Sequence, residues 1–475
     1  MNTLTIAWIA LSLFMGFVIY LLPKVDRYLA LSVAVVSLGY ALQIFGEQSP
    51  LTLQLLDNFG VTLVVDQLSG YFILTNALVT AAVIIYCWQD KTAFFYMQTI
   101  ILHGSLNAVF ICADFMSLYV ALEVIGIAAF LLIAYPRTER SIWVALRYLF
   151  VSNTAMLFYL VGAILVYKAN HSFAFAGLSE APTEAVALIV LGLLTKGGVF
   201  ISGLWLPLTH SESETPVSAL LSGIVVKAGV FPLLRCSLLV DDVYAIARIF
   251  GVAAALFGVF YAILEKDTKR TLALSTLSQL GWILASPEAG GLYALAHGTA
   301  KSTLFLIAGN LPSRNFQQLQ QHKAINPVLW IALTIAGLSI SGFPLFVGFG
   351  AKILTLSYLP TAYATAMNIG AVGTAIVYAK FIFLPRGGQE KTRFGLSLAA
   401  ILTISALLLA NIAYYQAYTV ANIAKVLAII ATGWVAYLLV LRRAELKLPR
   451  VLEQFEHLIG GMSLMLILLF WMVFA

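Results

Sequence analysis

Apolar runs of about 18 to 25 residues recur along almost the whole chain, separated by short polar loops. At 1.5 Å of rise per residue, a helix of that length crosses a hydrocarbon core of ~30 Å. Stretches such as Ala185 to Leu206 and Leu292 to Asn310 show no polar/apolar alternation, which excludes a barrel of alternating ~10-residue strands. Composition agrees, since 61% of the 475 residues are hydrophobic and 10% are charged, against about 25% charged in soluble proteins. The chain is therefore expected to be an all-α polytopic membrane protein with about 14 to 16 transmembrane helices.

The runs place helices near residues 4–22, 28–46, 70–88, 92–111, 115–134, 142–167, 185–207, 216–236, 243–264, 271–287, 291–311, 326–356, 364–384, 396–415, 420–441 and 456–474. With the N-terminus outside, the inside loops collect Lys24, Arg27, Lys91, Arg137, Arg140, Lys266, Lys269, Arg270, Arg314, Lys323, Arg386, Lys391, Arg393, Arg442, Arg443, Lys447 and Arg450. The outside loops hold only Lys168. This is a strong positive-inside bias, and it explains the net charge of +6 better than nucleic-acid binding, because the basic residues are scattered through loops. No loop is long enough for a soluble nucleotide-binding or redox domain, so no cofactor is expected. Cys87, Cys112 and Cys236 share no CxxC spacing and read as core hydrophobes. No metal-ligand spacing, P-loop or nucleophile elbow occurs. The first run lacks a basic n-region and is followed by Lys24-Val25-Asp26-Arg27, so it is expected to be retained as a helix, in a bacterial inner membrane.

Nine of the 27 basic residues fall inside these runs. Arg147, Arg235, Arg248, Lys380 and Lys425 lie within a turn or two of a helix end, where a long side chain can snorkel. Lys196, Lys227, Lys301 and Lys352 lie mid-run or beside a helix break. Glu123 sits about nine residues into its helix, and His297 pairs with Lys301 at i, i+4. Each central charge costs ~2.5–3.5 kcal/mol, so five cost on the order of 12 to 17 kcal/mol unpaired, as much as a typical domain's whole stability. One glutamate cannot neutralise four lysines, so some lysines are hydrated or neutral. A lysine that loses its proton is a proton carrier.

Two of these lysines adjoin helix breakers. Lys196 precedes Gly197 and Gly198, with Gly203 and Pro207 further on. Lys352 follows Gly342 and Pro344, with Gly348 and Gly350 between. Broken helices are tolerated in a bilayer where they line polar cavities, and they mark ion sites in transporters built from inverted repeats. The breaks fall in the seventh and twelfth helices, five apart, which suggests two inverted five-helix repeats. The expected division is 1–91 (three N-terminal helices), 92–236 and 243–385 (the repeats) and 386–475 (C-terminal helices). Signals around Lys227, including Ser222-Gly223 and Pro232, are weaker, since membrane glycines mostly serve packing. His103 reads as a hydrogen-bonded core residue, Asp66 as a helix cap, and Glu212 and Glu214 as loop charges with a lesser case for a proton inlet.

The ordered segments around Glu123, Leu193-Leu-Thr-Lys-Gly-Gly-Val, Pro216-Val-Ser-Ala-Leu-Leu-Ser-Gly with Val226-Lys-Ala-Gly-Val, Asp267-Thr-Lys-Arg-Thr-Leu-Ala-Leu-Ser-Thr-Leu-Ser-Gln-Leu-Gly, His297-Gly-Thr-Ala-Lys and Ser341-Gly-Phe-Pro with Gly348-Phe-Gly-Ala-Lys resemble one family. It is the antiporter-like membrane subunits shared by respiratory complex I, the photosynthetic NDH complex and multi-subunit Mrp cation/proton antiporters. The resemblance runs from about residue 66 to 385. It implies an acid–lysine pair at Glu123 and Lys196, a central relay at Lys227, His297 and Lys301, and an exit-side lysine at Lys352. It also implies partners among other hydrophobic subunits, with protons and a monovalent cation such as sodium as the cargo of the assembly. Two departures stand out: Tyr293 replaces a second histidine, and Arg147, if it matches the relay residue of the sixth helix, cannot deprotonate. The C-terminal segment is too short for the long lateral helix of larger members. An Mrp-type proton-translocating subunit is the leading expectation and a redox-driven pump subunit the alternative.

Overall fold

Short polar side chains decide where most of the long helices begin. Asp66, Asp114 and Asp267 each accept a backbone N–H three residues on, at 2.7–2.9 Å, and Thr138 forms a reciprocal capping box with Ser141. The computed structural model describes residues 2–47, 49–56, 60–322, 324–388, 392–443 and 450–474. Lys323, Lys391 and Lys447 of the charge count lie outside the described residues.

The elements are α1 (Asn2–Leu21), α2 (Asp26–Gly46), β1 (Leu51–Leu56), β2 (Gly60–Val65), α3 (Gln67–Tyr86), α4 (Ala93–Val109), α5 (Phe115–Ile133), α6 (Glu139–Asn170), α7 (Thr183–Gly197), α8 (Leu206–Glu212), α9 (Thr215–Leu220), α10 (Lys227–Ser237) and α11 (Asp241–Leu264). They continue with α12 (Thr268–Ala285), α13 (Gly290–Ala308), α14 (Phe316–His322), α15 (Pro327–Ser341), α16 (Val347–Ser357), α17 (Thr361–Ile382), α18 (Phe394–Leu409), α19 (Val420–Leu439) and α20 (Phe455–Phe474). Each expected apolar run coincides with one helix or with two consecutive ones. Among the described residues, twelve helical stretches are long and apolar enough to cross a membrane. The protein is an all-α polytopic membrane protein.

The helices α12 and α13 fall outside that set because they are rich in Ser, Thr, Gln, His and Lys. Every residue of both is buried, so protein surrounds them on all sides and their polar groups meet no lipid. By contrast α1, α19 and α20 expose most of their surface, as lipid-facing helices do.

Ion pairs tie together the loops that alternate crossing places at one end. Arg393 meets Asp90 (2.8 Å), Lys91 meets Glu214 (2.7 Å), Arg140 meets Glu212 (3.2 Å) and Arg314 meets Asp267 (2.9 Å). This basic end is the one that the charge bias predicts to face inside. A β1–β2 hairpin, expected only as a loop, pairs Leu53 with Leu63. It forms because Leu53, Leu63 and Val65 bury one face while Val64 N–H bonds Ile111 O (2.7 Å).

Several expected snorkellers are instead anchored. Lys380 is buried and donates to the carbonyls of Ala262, Ile263 and Glu265, capping the C-terminus of α11. Arg235 grips both carboxylate oxygens of Asp66, as well as Ser69. Arg147 donates to the Glu453 carbonyl.

That last contact belongs to a strap. Arg270, at the start of α12, bridges Glu265 (2.9 Å) and Glu453 (2.5 Å), and Arg450 adds a bond to Glu265 (3.3 Å). Burial alone would raise the Glu265 carboxyl, but Arg270 and the backbone N–H groups of Asp267 and Lys266 hold it below the usual carboxylate range. The strap sends α20 back onto α7 and the turn that follows it, where Gly461 faces Ile201, while Phe455 meets Phe150 of α6 at 5.0 Å. Glu453→Ala removes one charged hydrogen bond from a nearly buried guanidinium, so it is expected to cost about 2 kcal/mol. Thermal unfolding in detergent checks this; an unchanged midpoint means the strap adds no stability.

Candidate proton pathway

The two helix breaks have the same backbone design. In α7 the Gly198 N–H bonds Thr195 O and the Val199 N–H bonds Leu194 O; at the end of α15 the Gly342 N–H bonds Ser339 O and the Phe343 N–H bonds Leu338 O. Gly198 and Gly342 both take positive φ (+69° and +87°), completing the glycine-ended helix stop. Trp205 Nε1 donates to Thr195 O (3.0 Å), occupying a carbonyl that the first break exposes. Gly197 is the last residue of α7, and Pro207 sits in the first turn of α8, where a missing N–H does no harm. Pro344 lies in the link between α15 and α16.

Lys196, in the last turn of α7, has its side chain buried. Its Nζ donates to Ser152 Oγ (2.6 Å) and Leu122 O (3.1 Å). Gly126, one turn beyond Leu122, leaves the space: a Cβ there would lie 3.2 Å from the ammonium. Glu123 is half-buried on the same stretch of α5, and its charge acts on Lys196, but the two make no ion pair within 4.0 Å. The expected direct pair is thus replaced by a hydroxyl and a carbonyl, with Glu123 one residue from the latter.

Lys227 is brought to the centre by a local widening of its helix. Residues Leu221–Val225 form a π turn, a feature frequent at functional sites. It leaves the Ser222 and Gly223 carbonyls turned to Lys227 Nζ, which donates to both. The same nitrogen lies 3.0 Å from His297 Nδ1, while His297 Nε2 has no protein partner. Lys301, one turn along α13, donates to Leu272 O (2.8 Å) and lies 5.6 Å from the Tyr378 ring. Lys227, His297 and Lys301 are all fully buried.

Lys352, buried on α16, donates to Ser341 O (3.3 Å) and stands 5.0 Å over the Trp282 ring. Gly342 makes room for its stem, since a Cβ there would meet Lys352 Cδ at 2.9 Å. Between Lys301 and Lys352 runs a set of uncharged polar groups that sequence reasoning did not single out. Ser275 meets Tyr378 Oη (3.0 Å), and Tyr293 Oη donates to Gln279 Oε1 (2.7 Å) while stacking on Trp282. On α12, Leu272, Ser275, Gln279 and Trp282 recur at helical spacing and so share one face. That spacing is in the sequence for Ser275 and Gln279, but it marks a polar row only once α12 is seen enclosed by protein. Tyr293, the departure noted in the sequence, therefore bonds into this polar row.

His103 contrasts with these residues. Its ring meets Thr80 (3.1 Å) through one nitrogen and Ser37 (2.8 Å) through the other, inside a cluster with Asn76 and Asn107. It is a structural histidine. The three cysteines are buried and free.

The family described as NADH:quinone oxidoreductase/Mrp antiporter, TM, matches residues 112–377. A NADH-quinone oxidoreductase subunit from Desulforudis audaxviator is 30% identical over 68% of this chain and 72% of its own length. A Na(+)/H(+) antiporter subunit from Alkalihalophilus pseudofirmus is 24% identical over 82% of this chain and 89% of its own. Among solved structures, a chain of an archaeal respiratory membrane complex, the membrane-bound sulfane sulfur reductase, superposes with a TM-score of 0.78 at 20% identity, covering 92% of this chain and 99% of that one. A chain of the Mrp complex from a Dietzia species gives 0.77 at 23%, covering 93% and 56%. With the family match running through both breaks and through Lys196, Lys227, Lys301 and Lys352, this chain belongs to the NADH:quinone oxidoreductase/Mrp antiporter family of membrane proteins.

Proposed function

We propose that the chain is the proton-translocating subunit of a multi-subunit Mrp-type cation/proton antiporter. The observation that carries the proton path is the contact between Lys227 and His297, fully buried at 3.0 Å and flanked by Lys301 on the same helix face. An ammonium and an imidazole so placed cannot both hold charge cheaply, so a proton on one favours its departure from the other. In this reading a proton is held at Lys196 under the influence of Glu123. It passes through Lys227, His297 and Lys301, and continues past the Ser275, Tyr378, Gln279 and Tyr293 hydroxyl and amide groups to Lys352. Hydroxyls and trapped water carry it between the titratable groups. The helices from α4 to α10 and from α11 to α17 act as two inverted repeats, each with its broken helix. No cluster of intramembrane carboxylates offers a hard-cation site among the described residues, so the cation moves elsewhere in the assembly.

The Mrp reading rests on reach: the match to the Alkalihalophilus antiporter protein spans more of both chains than the match to the Desulforudis oxidoreductase protein. A second reading, a subunit of a redox-driven proton pump, draws on the higher identity of that oxidoreductase protein and on the end-to-end superposition with the archaeal respiratory chain. Purification of the native complex separates them. Small hydrophobic antiporter partners support the first; iron–sulfur or flavin subunits overturn it in favour of the second.

Proton movement itself is tested through Glu123. Glu123→Gln keeps the shape and removes the charge that acts on Lys196. Flux in membrane vesicles carrying the assembled complex is expected to fall about tenfold, the effect of ~1.4 kcal/mol of lost charge coupling. Wild-type flux would remove Glu123 from the pathway.

A further inference from the structure

The basic end holds a recess of about 430 Å³ lined in part by Asp90, Lys91, Glu214, Lys269 and Arg393. Lys269, in the first turn of α12, is almost fully buried at its floor. Its Nζ donates to Ser213 O (3.0 Å) and lies 3.4 Å from Ser218 Oγ. Ser218 Oγ in turn lies 2.7 Å from the carbonyl of His210, on α8.

His210 is completely buried, and neither ring nitrogen has a hydrogen bond of normal geometry. The backbone carbonyl of Leu206, one turn back on its own helix, makes a poorly aligned hydrogen-bonding contact with the ring. The ring packs 5.9 Å from Phe305 and 6.1 Å from Trp205. Phe305 lies one turn beyond Lys301 on α13, and Lys301 is bonded to Leu272, one turn along α12 from Lys269. The charges that act on the ring are Lys301 from α13 and Lys269 from α12; on α6, which also packs against α8, Arg140 is paired with Glu212.

A buried imidazole kept for structure is hydrogen-bonded, since each unsatisfied polar group costs stability. His103 satisfies that rule within this same protein through both nitrogens. His210 has only the poorly aligned contact with the Leu206 backbone and no side-chain partner, and it stands between a polar recess and a relay lysine. We infer that His210 is a lateral inlet of the proton pathway, passing protons between the Lys269 recess and Lys301. The inlet rests on the relay reading above, and adds an opening in the middle of the path.

The step balances with water as the only intermediary. A proton from the recess binds one ring nitrogen and gives imidazolium. The proton on the other nitrogen then passes to the neutral amine of Lys301, which becomes ammonium, and the ring is neutral again.

The test is His210→Gln in vesicles carrying the assembled complex, with flux followed by a pH-sensitive dye in H2O and D2O. Flux is expected to fall at least about tenfold, as for loss of a positioned proton carrier, and its solvent isotope effect to rise, because water alone must then bridge the gap. A purely structural role would leave the isotope effect unchanged. If His210→Gln fails to assemble, Lys269→Gln is read in the same two ways. Wild-type flux and isotope effect in the variant that assembles overturn the inlet. Lys227→Gln in parallel separates the readings: if it is inactive while His210→Gln transports normally, the relay stands without this inlet, and if it too transports normally, relay and inlet fall together.

Discussion

Lys227→Gln is expected to stop proton transfer between the two halves of the pathway while leaving the protein folded and assembled. Glutamine retains N–H donors for the Ser222 and Gly223 carbonyls that the π turn exposes, so the local backbone keeps its partners. What it cannot do is take up or release a proton beside His297. Lys227 is the group that touches the histidine directly, and Lys196 and Lys352 make their own contacts on other elements. No parallel route through a second titratable contact with His297 is available among the described residues. Loss of a carrier at such a point is expected to lower flux at least about a hundredfold, measured in vesicles as dye-reported pH change, with the composition of the purified complex as control. A variant that assembles and transports near the wild-type rate would show that protons reach Lys301 without Lys227, through water or the His210 inlet, and the central relay would have to be redrawn.

Which parts of this site were legible in the sequence follows from energy. A lysine in the middle of an apolar run costs so much that its presence demands an explanation, and Lys196, Lys227, Lys301 and Lys352 are all buried as that reasoning requires. The breaks were legible because glycine at positive φ has few substitutes, and Gly198 and Gly342 adopt it. Uncharged groups were not. Serine, glutamine and tyrosine are common in membrane helices, so Ser275, Gln279 and Tyr378 stand out only once α12 is seen enclosed by protein. The Glu123–Lys196 separation depends on which rotamer Lys196 takes between α5 and α6, which no spacing records. Lys380 differs for a related reason. Near a helix end it reads as a snorkeller, but the C-terminal carbonyls of α11 lie within its reach, and bonding them satisfies both partners. His210 is masked by the acids beside it, Glu212 and Glu214, and only its lack of a well-aligned hydrogen-bond partner sets it apart.

The largest effect on stability is expected at a residue with no chemistry of its own. A Cβ on Gly229 would lie 2.3 Å from Gly197 N, 2.5 Å from Leu193 O and 2.7 Å from Gly197 Cα. These atoms are backbone, so no rotamer change relieves the clash; α7 and α10 must separate. Gly229→Val adds two methyl groups to that wedge, in a region where every residue of α10 but Arg235 is buried. The expected cost is about 3 kcal/mol, the upper part of the range for overpacking, seen as a lower unfolding midpoint in detergent and a reduced yield of assembled complex. Gly460→Ala is the control: nothing lies within 4 Å of its Cβ position on α20, so it is expected to be neutral or slightly stabilising. The wedge also reaches function, because Gly197 follows Lys196 and precedes the Gly198 break, and pushing α7 outward moves the lysine away from Ser152 and Leu122. The smaller substitution Gly229→Ala is therefore expected to lower proton flux by a larger factor than it lowers the amount of assembled complex. Equal losses of both would mean that the close approach of α7 and α10 serves packing alone.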